Sequence, residues 1–142
     1  MCVHQRKRLI TLALLTTLFG VGHHVDHVIR GNHVGWPLIP EVTPFTYSLG
    51  FYPFIAIGFY LYLSGRTTPI YWAFLTGVGF FFVGLAHFGP VAVEPPADIL
   101  GPYSSTLAGY AALVWLVVFL MLLASTCLYS ARLWWRQKSG KG

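Results

Sequence analysis

Charged residues are scarce in this chain of 142 residues. They make up 9% of it, whereas 56% of the residues are hydrophobic and 17% are aromatic. A soluble domain carries about 25% charged residues to cover its surface. Nine basic and four acidic residues are too few to keep a folded surface in water. The composition therefore excludes an ordinary soluble globular protein and predicts that lipid surrounds most of the chain.

Cysteine is nearly absent as well. Cys2 and Cys127 are the two cysteines, too few for a disulfide framework or a thiolate metal centre. The sequence has no phosphate-binding glycine loop, so it does not predict an ATP-dependent activity. It also has no nucleophile elbow and no HExxH zinc motif. The net charge of +5 does not predict a nucleic-acid partner, because the basic residues form short runs beside apolar stretches.

Long apolar stretches are what the sequence does have. We interpret residues 9–29, 45–63, 69–88 and 105–129 as four transmembrane helices of a single domain, 1–142. About 20 apolar residues, rising 1.5 Å each, cross a hydrocarbon core of roughly 30 Å. Pro53 lies inside the second stretch and should kink it, because proline removes a backbone donor and crowds the preceding turn. The predicted fold is an all-α, integral membrane four-helix bundle.

The placement of charge predicts how this bundle is oriented. Lysine and arginine collect at the cytoplasmic ends of membrane helices, and with four spans eight of the nine basic residues fall on one side. Arg30 falls on the other side, together with the four acids, which are Asp26, Glu41, Glu94 and Asp98. We therefore expect a multi-pass protein of the cell membrane with both termini cytoplasmic. The alternative, a cleaved signal peptide ending near Gly22, lacks a small-x-small cleavage site.

The two connections on the outer side resemble each other. The first runs from His33 to Glu41 and the second from His87 to Glu94, and each reads His-x-Gly, then proline, then glutamate four residues on. The recurrence predicts duplication of a two-helix hairpin, and membrane proteins often place a site between such repeats. Recurring glycine, proline and capping residues at helix entries are the alternative explanation, but this alternative does not account for the matched histidine and glutamate.

One face of the first predicted helix carries unusual chemistry. The residues on it, at 100° per residue, are His23, Asp26, His27 and Arg30. Asp26 and Arg30 can pair across one turn. His87 ends the third span, which runs in the same direction as the first, so we expect it at the depth of His27. Ionisable groups inside a span are costly, so the group as a whole predicts a functional site.

Imidazoles that converge beside carboxylates are ligands for zinc, iron or copper. The predicted metal ligands are His23, His27, His33, His87 and Glu41. The predicted catalytic bases are Asp26 and Glu94, and the predicted contacts to a cofactor or an anionic headgroup are Arg30, Asn32 and Trp36. The sequence does not decide whether His24 belongs to the site, and membership of His33 is similarly open.

The segment from His23 to His27 has the pattern HHxxH. It resembles one histidine box of membrane desaturases and hydroxylases. Those families are larger and carry several such boxes on the cytoplasmic side, whereas this chain has one cluster on the predicted outer side. The resemblance covers this motif alone and assigns no family.

Three functions are compatible with such a site. The first is a metal-dependent oxidoreductase or hydrolase that acts on a lipid-like small molecule. The second is a haem b or quinone redox module with a first-helix histidine and His87 as axial ligands. The third is a proton-linked or pH-sensing subunit without enzymatic activity. The expected partners are the bilayer, a hydrophobic molecule, and a second copy or a membrane complex.

Overall fold

The computed structural model describes residues 2–31, 44–90 and 92–140, and all regular structure in these ranges is helical. The helices are α1 (Val3–Arg30), α2 (Pro44–Leu49), α3 (Phe51–Leu63), α4 (Ile70–Phe88), α5 (Pro96–Leu100) and α6 (Thr106–Lys138). By length and composition α1, α4 and α6 can each cross a membrane. The all-α fold is thereby confirmed for the described residues, and a count of four crossing helices stays a prediction.

The second predicted span, residues 45–63, consists of two helices. α2 ends at Leu49, and Gly50 separates it from α3. Pro53 lies in the first turn of α3, where it offers no N–H to the Leu49 carbonyl and its ring crowds that carbonyl. The helix is therefore interrupted one turn before the proline. Gly50 keeps near-helical angles of φ −61° and ψ −16°, so the chain continues from α2 into α3.

Two of the other helices extend past their predicted spans. α1 begins at Val3 rather than at residue 9, and α6 ends at Lys138 rather than at residue 129. α4 begins at Ile70, one residue after the predicted start. Hydropathy marks only the apolar part of a membrane helix, whereas its backbone hydrogen bonds continue through the basic residues beyond it. The differences therefore lie at the lysine- and arginine-rich ends.

α6 lies at the centre of the bundle, because it packs against both α1 and α4, while α3 packs against α4. The Oγ1 atoms of Thr16 on α1 and Thr126 on α6 are 2.9 Å apart. A Cβ at Gly79 on α4 would come within 3.2 Å of Leu123 on α6. Small residues thus allow both neighbours to approach α6 closely.

The surface of the bundle is apolar and its interior holds polar groups. Exposed large side chains include Leu18, Phe74, Phe81, Leu107 and Leu128, each at least 59% accessible. Buried polar side chains include Thr16, Thr76, Thr126, Ser130, His23, His87 and Glu94. Lipid favours this distribution, since apolar groups face the chains and polar groups must find partners inside.

The two ends of the bundle differ in chemistry. At the basic end, Arg6 near the start of α1 donates to the Leu63 carbonyl at the end of α3 at 2.7 Å. At the other end, the last turns of α1 and α4 bring their histidines together. We call this second end the histidine end; it includes α2, α5 and the chain that joins α4 to α6.

Candidate metal centre

Three histidines converge at the histidine end. His23, His27 and His87 each offer a ligand nitrogen, and these nitrogens all lie within 4.8 Å of one another. The Nε2 atoms of His23 and His27 are 3.1 Å apart. The ring of His87 is centred 5.1 Å from that of His23 and 5.8 Å from that of His27. The structure therefore brings His87 beside His27, and their common depth in a membrane stays a prediction.

The spacing of these imidazoles suits a single ion. Nitrogen ligands lie about 2.0–2.1 Å from zinc, so two of them in a tetrahedral site are roughly 3.3 Å apart. The 3.1 Å between the Nε2 atoms of His23 and His27 is close to this value. His23 and His87 are buried, at 4% and 3% exposure. The three side chains are therefore close enough together to hold one metal ion away from bulk water.

Glu94 connects two of the three histidines. Its Oε1 lies 3.3 Å from Nδ1 of His27, and its backbone carbonyl accepts a hydrogen bond from Nδ1 of His87 at 2.8 Å. An imidazole that donates from Nδ1 directs Nε2 toward a metal, and a carboxylate partner raises its basicity. Glu94 is placed by its own N–H, which donates to the Ala86 carbonyl at 3.1 Å. This geometry makes Glu94 an orienting group for the cluster, and its predicted role as a catalytic base stays a prediction.

Arg30 connects this cluster to a second carboxylate. Its Nε donates to Asp26 at 2.8 Å, as expected from the spacing of one turn, and its Nη2 donates to Glu94 at 3.4 Å. Burial raises the pKa of Glu94, but the interactions with His27 and Arg30 outweigh burial and hold that pKa below its ordinary value. Glu94 therefore carries a negative charge at neutral pH, beside the rings that would hold a cation.

Asp26 lies apart from the three converging imidazoles. It accepts hydrogen bonds from Arg30 and from the hydroxyl of Tyr103, in the chain before α6. Burial and the neighbouring Asp26 carboxylate raise the pKa of Tyr103 to about 12, although Arg30 opposes the shift. Asp26 thus fastens the end of α1 to the start of α6. Its predicted role as a base and the predicted contact of Arg30 with a cofactor both stay predictions.

His24 belongs to a neighbouring polar group. Its Nε2 lies 2.7 Å from the Ser48 hydroxyl, and its Nδ1 lies 2.7 Å from the Tyr52 hydroxyl and 2.9 Å from the Gly20 carbonyl. Sequence reasoning missed Ser48 and Tyr52 because packing between separate helices brings them to His24. In the sequence, Ser48 and Tyr52 are marked only by a hydroxyl group within an apolar stretch, and such residues are common in membrane helices.

A cavity of about 120 Å³ begins at these polar groups and continues toward the basic end. His23, His24, His27, His87, Ser48, Tyr52 and Glu94 line its polar end. Ala13 and Trp72 line the far end, and the walls between come from α1, α3, α4 and α6. The Nδ1 atom of His23 is buried without a hydrogen-bond partner in the described part of the chain. One polar atom of the cluster is thus left for a ligand or water to satisfy.

Four predicted site residues lie outside the described residues; they are Asn32, His33, Trp36 and Glu41. The first of the two similar connections falls in the same range, so the duplication stays a prediction. In the second connection, the histidine and the glutamate of the pattern do meet, through the contacts of His87 with Glu94.

No protein-family model, no curated protein and no solved structure matches this chain.

Proposed function

We propose that this chain is a small membrane protein that binds one transition-metal ion, zinc, iron or copper, through His23, His27 and His87. The convergence of three imidazole nitrogens within 4.8 Å supports this proposal. Glu94 strengthens it, because one residue orients two of the rings and supplies a negative charge beside them. Imidazole ligands suit these metals better than they suit calcium or magnesium, which prefer oxygen.

The chemistry of such an ion follows from its ligand count. Metal sites that catalyse reactions keep three protein ligands and leave one position for water or substrate. An ion held by these three residues would supply a Lewis acid that activates water or polarises a carbonyl group. We propose that the ion would serve a metal-dependent hydrolase or oxidoreductase that acts on a lipid-like molecule, because the three histidines line the cavity. Glu94, which contacts His27, and Asp26, which Arg30 connects to Glu94, are the carboxylates that we propose for proton transfer.

The haem alternative places one imidazole on each face of a macrocycle. In the structure, a third imidazole and the Glu94 carboxylate lie within the same few ångströms as His27 and His87. This crowding favours a single ion over a macrocycle between two rings. A proton-linked subunit is the remaining alternative, and it predicts a protein that takes up no metal.

The proposed location follows from charge and hydropathy. We propose that the chain is a multi-pass protein of the cell membrane with the histidine end outside and both termini in the cytoplasm. The apolar helix surfaces support insertion, and the excess of lysine and arginine at the basic end supports this orientation.

Metal content and the absorption spectrum of untagged, detergent-purified protein test the proposal. A variant with His23→Ala, His27→Ala and His87→Ala removes the ligands, and His4→Ala is the control because His4 lies in the first turn of α1. We expect about one ion per chain in the wild type and the control, and none in the triple variant. Equal metal in all three, or a protein that binds none after loading, would refute the site, and a Soret band would favour haem.

A further inference from the structure

Among the described residues, the basic end of the bundle carries positive charge and no negative charge beside it. Its exposed lysine and arginine side chains are Arg6, Lys7 and Arg8 on α1, Arg66 between α3 and α4, and Arg132, Arg136 and Lys138 on α6. The described acids, Asp26, Glu94 and Asp98, all lie at the histidine end. We therefore expect a partner of the basic end to carry negative charge.

Tryptophan side chains at this end indicate the depth of the lipid headgroups. Trp135 in the last turns of α6 is 66% exposed, and Nζ of Lys138 lies 5.3 Å from the centre of the Trp134 ring. Tryptophan is enriched where the hydrocarbon core of a membrane meets the headgroups. At this depth the negative charge of a membrane belongs to the headgroups of its anionic phospholipids.

A pocket of about 220 Å³ lies at the basic end, where segments from α1, α3, α4 and α6 meet. Its lining includes Arg6, Tyr62, Thr67, Thr68, Pro69 and Gln137. Arg6, Thr68 and Gln137 are exposed, so the pocket opens to the surroundings of the bundle. Its volume equals that of about seven water molecules at roughly 30 Å³ each. This space is sufficient for a phosphate group with its ester oxygens and too small for a lipid chain.

Arg6 is held at the pocket by uncharged partners. Its Nη2 donates to the Leu63 carbonyl at 2.7 Å, and its guanidinium carbon lies 6.0 Å from the centre of the Tyr62 ring. Neither contact neutralises the positive charge. A guanidinium has five N–H donors in a planar arrangement that matches phosphate oxygens. Arg6 can therefore keep its contact with Leu63 and also bind a phosphate group.

The start of α4 is a second feature of the pocket that favours an anion. Pro69 is the N-cap of this 19-residue helix and lines the pocket, and no side chain of the described residues caps the helix there. The N–H groups of the first turn give a helix start partial positive charge. Thr67 and Thr68 add hydroxyl groups to the lining. An arginine beside a helix N-terminus is chemistry that binds phosphate groups.

We propose that this pocket binds the phosphate group of one anionic phospholipid, with Arg6 as the charged contact. The lipid chains then lie outside the pocket, where Leu63 and Ile70 expose apolar side chains at the end of α3 and the start of α4. A free phosphate ester has the same phosphate chemistry but no chains to contact these side chains. The proposal rests on the membrane location proposed above, and it does not need the metal ion.

Native mass spectrometry of detergent-purified protein, titrated with dioleoylphosphatidylglycerol or dioleoylphosphatidylcholine, counts the lipids bound per chain. Arg6→Gln removes the charged contact, and Arg8→Gln is its control because Arg8 is exposed on the same helix outside the pocket lining. Gln137→Glu places a negative charge in the pocket with little change of shape, and Ser139→Glu adds the same charge outside the lining. Metal content and thermal unfolding are measured for all four variants, so a misfolded variant is recognised.

We expect one phosphatidylglycerol per chain, bound more tightly than phosphatidylcholine. Binding should be about fivefold weaker in Arg6→Gln and in Gln137→Glu, because one basic residue near an anionic lipid surface contributes roughly this factor. Both control variants should bind as the wild type does. Equal affinity for the two lipids, or an equal loss in pocket and control variants, would overturn the proposal.

Two further outcomes separate this proposal from its neighbours. Displacement of the lipid by an equal concentration of glycerol phosphate would make a free phosphate ester the ligand and overturn the assignment to a phospholipid. The expected lipid binding in a protein that takes up no metal would refute the metal site alone. A protein that binds metal but shows no preference for phosphatidylglycerol would refute the lipid site alone.

Discussion

Replacement of Glu94 by glutamine isolates the contribution of one carboxylate to metal affinity. Glutamine keeps the shape of the side chain and the backbone carbonyl that accepts from His87. It removes the charge 3.3 Å from Nδ1 of His27. Arg30 keeps its 2.8 Å ion pair with Asp26, so the substitution leaves no buried cation unpaired. The expected effect is therefore on the basicity and orientation of His27.

The magnitude follows from measured effects of such partners. Loss of a residue that orients a metal ligand weakens metal binding by about tenfold to a hundredfold, or roughly 1.4–2.7 kcal/mol. We expect a loss in this range for Glu94→Gln, measured by competition with a chromophoric chelator. Asp98→Asn is the control, because Asp98 contacts Arg30 through its backbone carbonyl. Unchanged affinity in a folded Glu94→Gln protein, or an equal loss in Asp98→Asn, would refute this reasoning.

Three further predictions concern the fold and its titration. Gly22→Ala should lower the free energy of unfolding by about 1–3 kcal/mol, because a Cβ at this position would clash with the Trp115 ring. Gly84→Ala is the control, because a Cβ there has its nearest atom at 4.0 Å and should be tolerated. Thermal unfolding in detergent compares the two variants. In metal-free protein, ionised Glu94 stabilises the fold above its ordinary pKa of about 4.3, and this stabilisation is lost as the pH falls through the lower folded-state pKa. Glu94→Gln should therefore make the thermal unfolding midpoint depend less on pH in this acidic range. A midpoint that depends on pH as it does in the wild type would contradict the charged contacts of Glu94. Tyr103 should ionise at about pH 12. Tyr103→Phe should therefore reduce the phenolate absorbance that appears near that pH by the contribution of one tyrosine, and an unreduced absorbance would contradict the contact of Tyr103 with Asp26.

Local periodicity was sufficient to predict part of the site. His23 and His27 share a face because they are one turn apart, and Asp26 and Arg30 pair for the same reason. The position of His87 followed from chain direction, because two spans that run the same way bring their ends to the same depth. These relations depend on one helix or on the order of helices, and both can be read from the sequence.

The remaining relations depend on how separate segments pack. Glu94 reaches two histidines because the chain after α4 turns back and its N–H bonds to Ala86, and no periodic pattern describes such a turn. His24 meets Ser48 and Tyr52 across helices. Hydropathy also overlooked the interruption at Gly50, because an apolar stretch has the same hydropathy whether it is one helix or two.

X-ray absorption at the edge of the bound metal tests the central claim most directly. In untagged wild-type protein loaded with zinc, the spectrum should show three imidazole nitrogens at about 2.0–2.1 Å. His87→Ala should remove one of them, and His4→Ala should remove none. An imidazole count that is unchanged in His87→Ala, or an ion bound without imidazole ligands, would contradict the assignment of the site to His23, His27 and His87.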